Sequence, residues 1–439
     1  MTPEQLMQRV TASPIRPDRV KTAGEIQDFI WPDQPQKYLP RHYDNWHWRL
    51  STHNQAMNDC LPHSITSIME AAIHMATGVK EELSRDHFYH HLIATDGGPA
   101  GDNGGTLRGA MRVGYHVGFC SEAVQPYDSA WSNGVAPGAD ADAQRRKIAL
   151  YYRLKGVTSQ DALLTVRRIM EAEAMGLMVL YGGELERDYF YLKGPGPFND
   201  YMGPDKPGGI GGYMHAQVGT GYHYSQSWHR KQNSWSDDPQ VWGEDGSVSR
   251  SIRGTARVPI VGDARHAIDL WAIRAIVVDG VTYDLAEIHA RRQTVTRGYV
   301  ALMGRAPDAE GLAFWSNELK AGMTVPKLLE TMFATEPARA IYPAGMTTQQ
   351  IVEKFYQFVL GRAAGSDPQG VAHWVVRFNA VGLGAALHEL ITAVANYTGT
   401  DPAGAYSAQL FADKVGLGQM WGESGGGVAG SVEAIRVQP

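Results

Sequence analysis

The chain is poor in cysteine. Only Cys60 and Cys120 occur among its 439 residues, too few for the disulfide framework that holds small secreted domains together. A single bond between the two stays open as an alternative. Because that bond would consume both thiols, it competes directly with any chemistry at either cysteine.

Long apolar runs and runs of one charge are also missing. No stretch approaches the roughly 18 apolar residues of a membrane span, and the opening MTPEQLMQRVTASPIRP lacks the apolar core of a secretory signal. We therefore expect no membrane span and no export by a conventional signal peptide. The formal net charge of -6, without a long basic run, gives no reason to expect nucleic acid as a partner.

The length predicts two or three domains, because one hydrophobic core rarely serves so many residues. Residues 1–37 are polar and interrupted by prolines, which is typical of an arm or a short pro-segment. Over 38–280, helical periodicity comes first and strand-like runs such as HAQVGTGY and LWAIRAIVV come later. This order predicts an α+β domain, with residues 281–292 as a linker to a helical C-terminal segment.

One pattern occurs twice in the helical segment 293–421. It begins with a tyrosine, continues through a Gly-Arg pair and an Asp…Gly turn, and ends at a tryptophan. Its members are Tyr299, Gly304, Arg305, Asp308, Gly311 and Trp315, and again Tyr356, Gly361, Arg362, Asp367, Gly370 and Trp374. We predict an all-α module built from one repeated unit, followed by a Gly-rich, flexible tail over 422–439.

Cys60 stands at the start of a predicted helix, CLPHSITSIMEAAIHMATG, in which apolar residues recur at helical spacing and Gly78 is the predicted stop. Unpaired backbone N–H groups at a helix N-terminus lower the pKa of a thiol from its usual value of about 8.5. The position therefore favours a reactive thiolate. The alternative is a buried, inert cysteine, because cysteine is among the most buried residue types.

A cysteine nucleophile needs a base, and the base needs a third group that holds its tautomer. His215, in the extended run MHAQVGTGY, and Asn233, in KQNSW, are candidates for these roles. Their distance from Cys60 along the chain predicts a site between two lobes, with a thiolate and an imidazolium at rest. His63 is closer to Cys60 in sequence, but we expect it to point elsewhere from the same helix.

These motifs, in their order, resemble the papain-like cysteine peptidase family over residues 38–280. LPRHYDNWHWR is similar to the family's mature N-terminal region, and GFCSEAVQPYD is similar to the segment that follows its groove glycines in sequence. The other matching landmarks are Gln55 with Cys60 (oxyanion glutamine and nucleophile), Gly104 and Gly105 (substrate groove), His215–Ala216 (catalytic histidine strand), Asn233–Ser234–Trp235 and Trp242–Gly243–Glu244–Asp245–Gly246 (the Asn-Ser-Trp…Trp-Gly signature). The resemblance implies two lobes, one helical around Cys60 and one barrel-like around His215. It also implies thiol-dependent peptide hydrolysis, with Trp235 shielding the His215–Asn233 hydrogen bond from water.

The sequence departs from this family next to the nucleophile. The family's glutamine stands six residues before the cysteine, whereas Gln55 stands five before it and Asn54 occupies the sixth place. We expect Gln55 to be the oxyanion donor, with Asn54 as the alternative. Asp59 would oppose a thiolate at Cys60 by its charge unless its carboxylate points away.

The remaining histidines and acidic residues predict no metal site. His87, His90 and His91 lie in DHFYHH, but no cysteine or carboxylate stands at ligand spacing in the sequence. Asp96 and Asp102 lie in a Gly-rich segment that does not fit the EF-hand pattern. We therefore expect neither a metal nor a cofactor.

The repeated module resembles a bacterial domain of unknown function found in surface and repeat-in-toxin-type proteins. The segment MGRAPDAEGLAFW is close to that domain's pattern, Leu-Gly-Arg-x-Pro-Asp-x-x-Gly…Trp. The resemblance implies attachment to a partner protein, an assembly or a glycan surface. The same glycines, aspartates and aromatic residues also suit plain helix packing, which is the alternative.

The leading hypothesis is hydrolysis of a protein or peptide substrate by a papain-like peptidase tethered through the helical module. Two alternatives stay open: a catalytically degenerate papain-like scaffold with a binding role, and a peptidoglycan amidase or endopeptidase. The expected location is a phage virion. The alternative is a bacterial protein, secreted or surface-attached without a signal peptide.

Overall fold

The computed structural model describes residue 31 and residues 38–50, 52–96, 101–128, 134–155, 161–185, 193–194, 213–235, 243–244, 254–363 and 365–437. The predicted arm over 1–37 lies outside this part of the chain except for Trp31, and so do Trp242, Asp245 and Gly246. The chain is divided into two compact units. The first holds residues 44–286 together with those up to 33, and the second holds residues 34–43 and 287–439.

Four helices come first in the first unit. They are α1 (Cys60–Thr77), α2 (Arg85–Thr95), α3 (Leu107–His116) and α4 (Ala139–Ala143). Gly78, with a φ of 76°, ends α1 as predicted, and the side chains of Ser84 and Thr106 cap α2 and α3. A buried ion pair of 2.8 Å between Glu70 and Arg85 ties α1 to α2.

An antiparallel sheet makes up most of the remaining first unit. The remaining elements are β2 (Arg146–Lys155), α5 (Ala162–Ala174), β3 (Val179–Leu185), β4 (Lys193–Gly194), β5 (Tyr213–His223), β6 (Trp228–Gln232), β7 (Gly243–Glu244), β8 (Thr255–Pro259), α6 (Ile260–His266), β9 (Ala267–Val278) and β10 (Val281–Asp284). The division between the units also runs through β1 (His42–Asp44), after Tyr43. The main strand order is β10-β9-β3-β5-β6-β8, and β2 also pairs with β9. Ile65 of α1 shares one buried core with Leu180 of β3 and Trp271 of β9, so α1 packs on the sheet. The α+β class predicted from the sequence is confirmed.

The second unit is helical, as predicted. Its helices are α7 (Leu285–Met303), α8 (Ala309–Lys320), α9 (Val325–Phe333), α10 (Glu336–Ile341), α11 (Thr348–Phe355), α12 (Pro368–Val381), α13 (Leu383–Ala395), α14 (Pro402–Glu423) and α15 (Ser431–Ala434), with a π-helical turn at Tyr356–Leu360. The division between the units falls between 286 and 287, within α7. In the described part of the chain, no helix combines the length and the apolar character that crossing a membrane requires.

The two copies of the sequence repeat have the same local structure. Gly304 ends α7 with a φ of 62°, and the Asp308 carboxylate caps α8 by accepting from the Gly311 N–H at 2.8 Å. Arg305 then lies 3.4 Å from Asp308. The second copy repeats this with Gly361 (φ 65°), Asp367 accepting from the Gly370 N–H at 2.9 Å, and Arg362 at 3.4 Å from Asp367. The repeat is therefore one turn-and-cap unit used twice.

The Gly-rich tail, which the sequence predicts to be flexible, contacts the helices that precede it in the second unit. Ile435 is 4% exposed and belongs to the core of the second unit. The backbone N–H groups of Ala306 and Ala309 donate to the carbonyls of Ser431 and Gly426. The glycines permit this because they take little space: a Cβ on Gly426 would meet the Trp421 indole at 2.3 Å.

Gly384 marks a close contact between α13 and α9. A Cβ at this position would lie 2.2 Å from the backbone oxygen of Pro326, so Gly384→Ala must push the helices apart. We expect the free energy of unfolding to fall by about 1–3 kcal/mol, measured by urea unfolding followed by circular dichroism. In Gly427→Ala, the control, the new Cβ meets nothing within 4 Å. Because alanine forms helices better than glycine by about 1 kcal/mol, a more stable Gly384→Ala would show that helix propensity outweighs the contact.

Candidate active site

His215 and Asn233 lie on neighbouring strands of the sheet. β5 carries His215, and Asn233 directly follows β6, which pairs with β5. The ring Nε2 of His215 lies 2.7 Å from Oδ1 of Asn233, which also accepts from the Ser234 N–H at 2.8 Å. Because an amide oxygen only accepts, Nε2 carries a proton, and in neutral His215 the lone pair is on Nδ1. Asn233 therefore holds His215 in the tautomer that a base acting through Nδ1 needs.

Trp235 covers the His215 ring. The two rings are stacked, with centroids 5.0 Å apart and planes inclined by 23°, and Trp235 is 1% exposed. A hydrogen bond kept from water is stronger than a solvated one. The sequence predicts that Trp235 shields the His215–Asn233 bond, and this stacking agrees with that role.

Cys60 is the first residue of α1, which packs against β5. His63 and Ser64 from the first turn of α1 line a cavity together with Asn233 and Ser234. The N-terminal end of α1 therefore faces the strand end that carries Asn233. Cys60 and Cys120 are both buried and form no disulfide, which removes the alternative in which one bond consumes both thiols.

His215 is enclosed. It is 1% exposed and Cys60 is 2% exposed. Burial, chiefly, lowers the pKa of His215 to about 4, and the charges of Lys231 and His63 act in the same direction. In this buried position His215 is a neutral imidazole above about pH 4, not the imidazolium predicted from the sequence. A peptide carbonyl can reach either side chain only when the atoms that now cover them move.

Asp59 uses one carboxylate oxygen on partners other than Cys60. Its Oδ2 accepts from the Tyr127 hydroxyl at 2.6 Å and lies 3.3 Å from Nε2 of His63. Burial alone would raise the pKa of Asp59, but the charge and hydrogen bond of His63, with the bond from Tyr127, bring it below its usual value. The buried carboxylate of Asp59 is therefore stabilised by its contacts with His63 and Tyr127.

Gln55 is buried beside the site, whereas Asn54 is exposed. Oε1 of Gln55 accepts from the Ser234 hydroxyl, and the backbone N–H of Gln55 donates to the Ser234 carbonyl at 2.8 Å. The Gln55 Nε2 donates to the Met57 carbonyl at 3.1 Å. Of the two amides considered from the sequence, Gln55 is the one held against the Asn233–Ser234 segment.

The predicted groove glycines are linked to the segment before Cys60. The N–H of Gly104 donates to the hydroxyl of Tyr89, which donates to Asp102, and Asp102 accepts from the Asn58 N–H at 2.7 Å. Gly105 is packed so tightly that a Cβ would lie 2.5 Å from the Leu92 side chain. Both glycines are buried in this structure.

Two residues of the site were missed from the sequence. His63 was expected to point elsewhere, yet it contacts Asp59 and lines the cavity beside Asn233, because residues four apart share one face of a helix. Tyr127, whose ring lies 5.2 Å from that of His63, belongs to the GFCSEAVQPYD motif, but nothing in the sequence indicated its contact with Asp59. The Asp59/His63 spacing was the signal that could have revealed the first of them.

The histidines of α2 also differ from expectation. The sequence shows no carboxylate at ligand spacing from them, but the fold brings Asp140 within hydrogen-bond distance of His87 and His91. Asp96 instead holds Thr106, accepting from its N–H at 2.6 Å and its hydroxyl at 3.0 Å.

Comparisons with known proteins give similar solved structures only. No protein-family model matches the sequence, and no curated protein matches it. Xylellain, a cysteine protease from Xylella fastidiosa, is 20% identical, with 61% of this chain and 96% of that chain covered and a TM-score of 0.48. Digestive procathepsin L 3 of Tenebrio molitor is 17% identical (62% and 78% covered, TM-score 0.44), and bromelain from Ananas comosus is 21% identical (53% and 98% covered, TM-score 0.39). These neighbours are papain-like cysteine proteases of low sequence identity to this chain.

Proposed function

We propose that the first unit is a cysteine peptidase in which Cys60 is the nucleophile, His215 the base and Asn233 the residue that orients His215. The observation that carries the proposal is the His215–Asn233 hydrogen bond of 2.7 Å under the stacked Trp235. This bond fixes the proton on Nε2 and leaves Nδ1 able to accept another. The N-terminal end of α1, where Cys60 stands, faces the same strand end.

The proposed reaction has two stages. Nδ1 of His215 takes the thiol proton, and the Cys60 sulfur attacks the peptide carbonyl carbon. The C–N bond breaks as the imidazolium returns the proton to the leaving amine, which gives a thioester. Water, deprotonated by His215, then attacks the thioester, and its cleavage returns the thiol and releases the carboxylic acid.

Gln55 is the proposed donor to the oxyanion of both stages. Its Oε1 is held by Ser234, which fixes the amide plane, and its Nε2 has two hydrogens, one of which is given to the Met57 carbonyl. A side-chain amide N–H held in this position is the kind of donor that a developing oxyanion needs. Removing one such donor typically costs a factor of about 10²–10³ in rate.

A binding scaffold without catalysis is the second candidate, because Cys60 and His215 are 2% and 1% exposed.

For the second unit we propose attachment to a partner protein or glycan surface. Its support is the repeated turn-and-cap unit, which leaves Phe314 57% exposed on α8 beside the packed Trp315.

A peptidyl epoxide of the papain-directed class tests the proposal. We expect the native full-length chain to acquire one adduct, on Cys60, as read by mass spectrometry of its peptides. Cys120 serves as an internal control, since burial, chiefly, raises the pKa of its thiol to about 12. An unlabelled Cys60 in the native chain, together with iodoacetamide labelling of both thiols in urea, would favour the scaffold.

A further inference from the structure

Two histidines and an aspartate meet outside the candidate active site. His87 and His91 stand one turn apart on α2, so their rings share one face of the helix, with centroids 4.6 Å apart. Asp140, near the start of α4, brings a single oxygen to both. Its Oδ1 lies 3.0 Å from Nε2 of His87 and 2.7 Å from Nε2 of His91.

The donor set and its spacing suit a zinc-class ion. Zn²⁺ takes imidazole nitrogens and carboxylate oxygens at about 2.0–2.2 Å, so two ligands of a tetrahedral ion lie about 3.3 Å apart. The three ligand atoms here all lie within 4.8 Å of one another. The two nitrogen–oxygen separations need to lengthen by only about 0.3–0.6 Å for an ion to sit among them.

The hydrogen bonds of the cluster show what an ion would replace. A carboxylate oxygen only accepts, so in the metal-free form each ring donates its Nε2 proton to Oδ1 of Asp140. A divalent ion takes the place of these two protons.

The cluster is open on one side. The side chains of His87, His91 and Asp140 are 0%, 23% and 65% exposed, so water can complete the coordination. Nδ1 of His87 is buried and has no acceptor among the described residues. Because most metal-binding histidines donate that second N–H to a partner, we expect an exchangeable ion rather than a permanent structural one.

We propose that His87, His91 and Asp140 bind a divalent transition-metal ion of the zinc class, which links α4 to α2 because it has ligands on both helices. The chain between these helices carries Gln125, which donates to Asp86 of α2 at 2.5 Å, and Tyr127, which donates to Asp59. The ion would therefore brace the segment that supports Asp59, the residue before Cys60. The proposal does not depend on whether Cys60 is catalytic.

Zinc titration of the full-length chain tests this site. All proteins would carry Cys60→Ala, so that the thiol cannot bind zinc, and ZnCl₂ would be titrated at neutral pH in competition with a chromophoric chelator. We expect one ion per chain, with binding weakened about tenfold or more by His91→Gln and by Asp140→Asn. His90→Gln is the matched control, because His90 lies on the same helix between the two ligands but outside the cluster.

Thermal unfolding provides the second readout. ZnCl₂ should raise the unfolding midpoint of the Cys60→Ala chain and of its His90→Gln variant, but not of the two ligand variants. Zinc affinity and midpoint shifts that are the same in His91→Gln and Asp140→Asn as in their parent would overturn the proposal. So would a parent chain that binds no stoichiometric zinc.

Discussion

Replacing His215 with alanine should reduce the turnover number of the full-length chain on a fluorogenic peptide library by roughly 10²–10⁴-fold. Without the ring, the thiol of Cys60 loses the base that Asn233 orients in the proposed mechanism, and the leaving amine loses its proton donor. Cys60→Ala should show no turnover above that of the uncatalysed reaction, because no thioester can form.

The matched control is His223→Ala, the same substitution at the far end of β5. His223 is half-buried, and its Nδ1 accepts from the Gln226 N–H at 3.2 Å, so it stabilises a turn away from Asn233. Its turnover number should stay within about twofold of that of the native chain, allowing for the small stability changes that surface substitutions cause. A His215→Ala chain that keeps native turnover would contradict the assignment of the base, and a native chain that cleaves no peptide would contradict the peptidase.

Local sequence patterns were sufficient for the helices and for the two halves of the candidate site. α1 could be predicted because its apolar positions recur at helical spacing and Gly78 supplies the left-handed residue that ends it. His215 and Asn233 could be predicted as partners because their motifs, with Trp235 close to Asn233 in the sequence, resemble those of the papain-like family in their order. Their bond is possible because β5 pairs with β6 in the structure.

Contacts between distant segments could not be predicted. Asp140 contacts His91 from 49 residues further along the chain, and Tyr127 contacts Asp59 from 68 residues further along. Neither partner lies at a helical or strand spacing from the residue it contacts. Burial is the other missing quantity, because the neutral form of His215 results from how completely the fold encloses it.

The least predictable feature is a group of four charged residues inside the first unit, which we call the charge cluster. His229 of β6 lies between two carboxylates, with Nδ1 2.6 Å from Asp263 of α6 and Nε2 2.8 Å from Glu173 of α5. Lys231, two residues further along β6, places Nζ 3.1 Å from Asp263. The four side chains are 0–7% exposed. Because Asn233 directly follows β6, the charge cluster fixes the strand that precedes Asn233.

The charge cluster makes stability depend on pH. Burial alone would lower the pKa of His229, but the charge of Glu173 and the hydrogen bond to Asp263 raise it to about 9. A base with a raised pKa stabilises the fold fully below its ordinary value of about 6.5 and loses that contribution as the pH rises through 9. Lys231 acts in the opposite sense, since burial, chiefly, lowers its pKa to about 7. Lys231 is present in the native chain and in a variant that lacks His229. The difference in stability between these two chains therefore mainly reports the titration of His229.

His229→Gln should lower the free energy of unfolding of the first unit by about 3–5 kcal/mol near pH 6, because it leaves two buried carboxylates without the cation between them. Hydrogen exchange with mass spectrometry on peptides of β5 and β6 measures this unit by itself. The deficit should shrink as the pH rises from about 6.5 to beyond 9, where His229 in the native chain loses its proton. His116→Gln, the same substitution at an exposed position, should stay within about 0.5 kcal/mol of the native chain. If His229→Gln matched that control, or if its deficit were the same at pH 6 and above pH 9, His229 would not be the charged bridge that its two short contacts indicate.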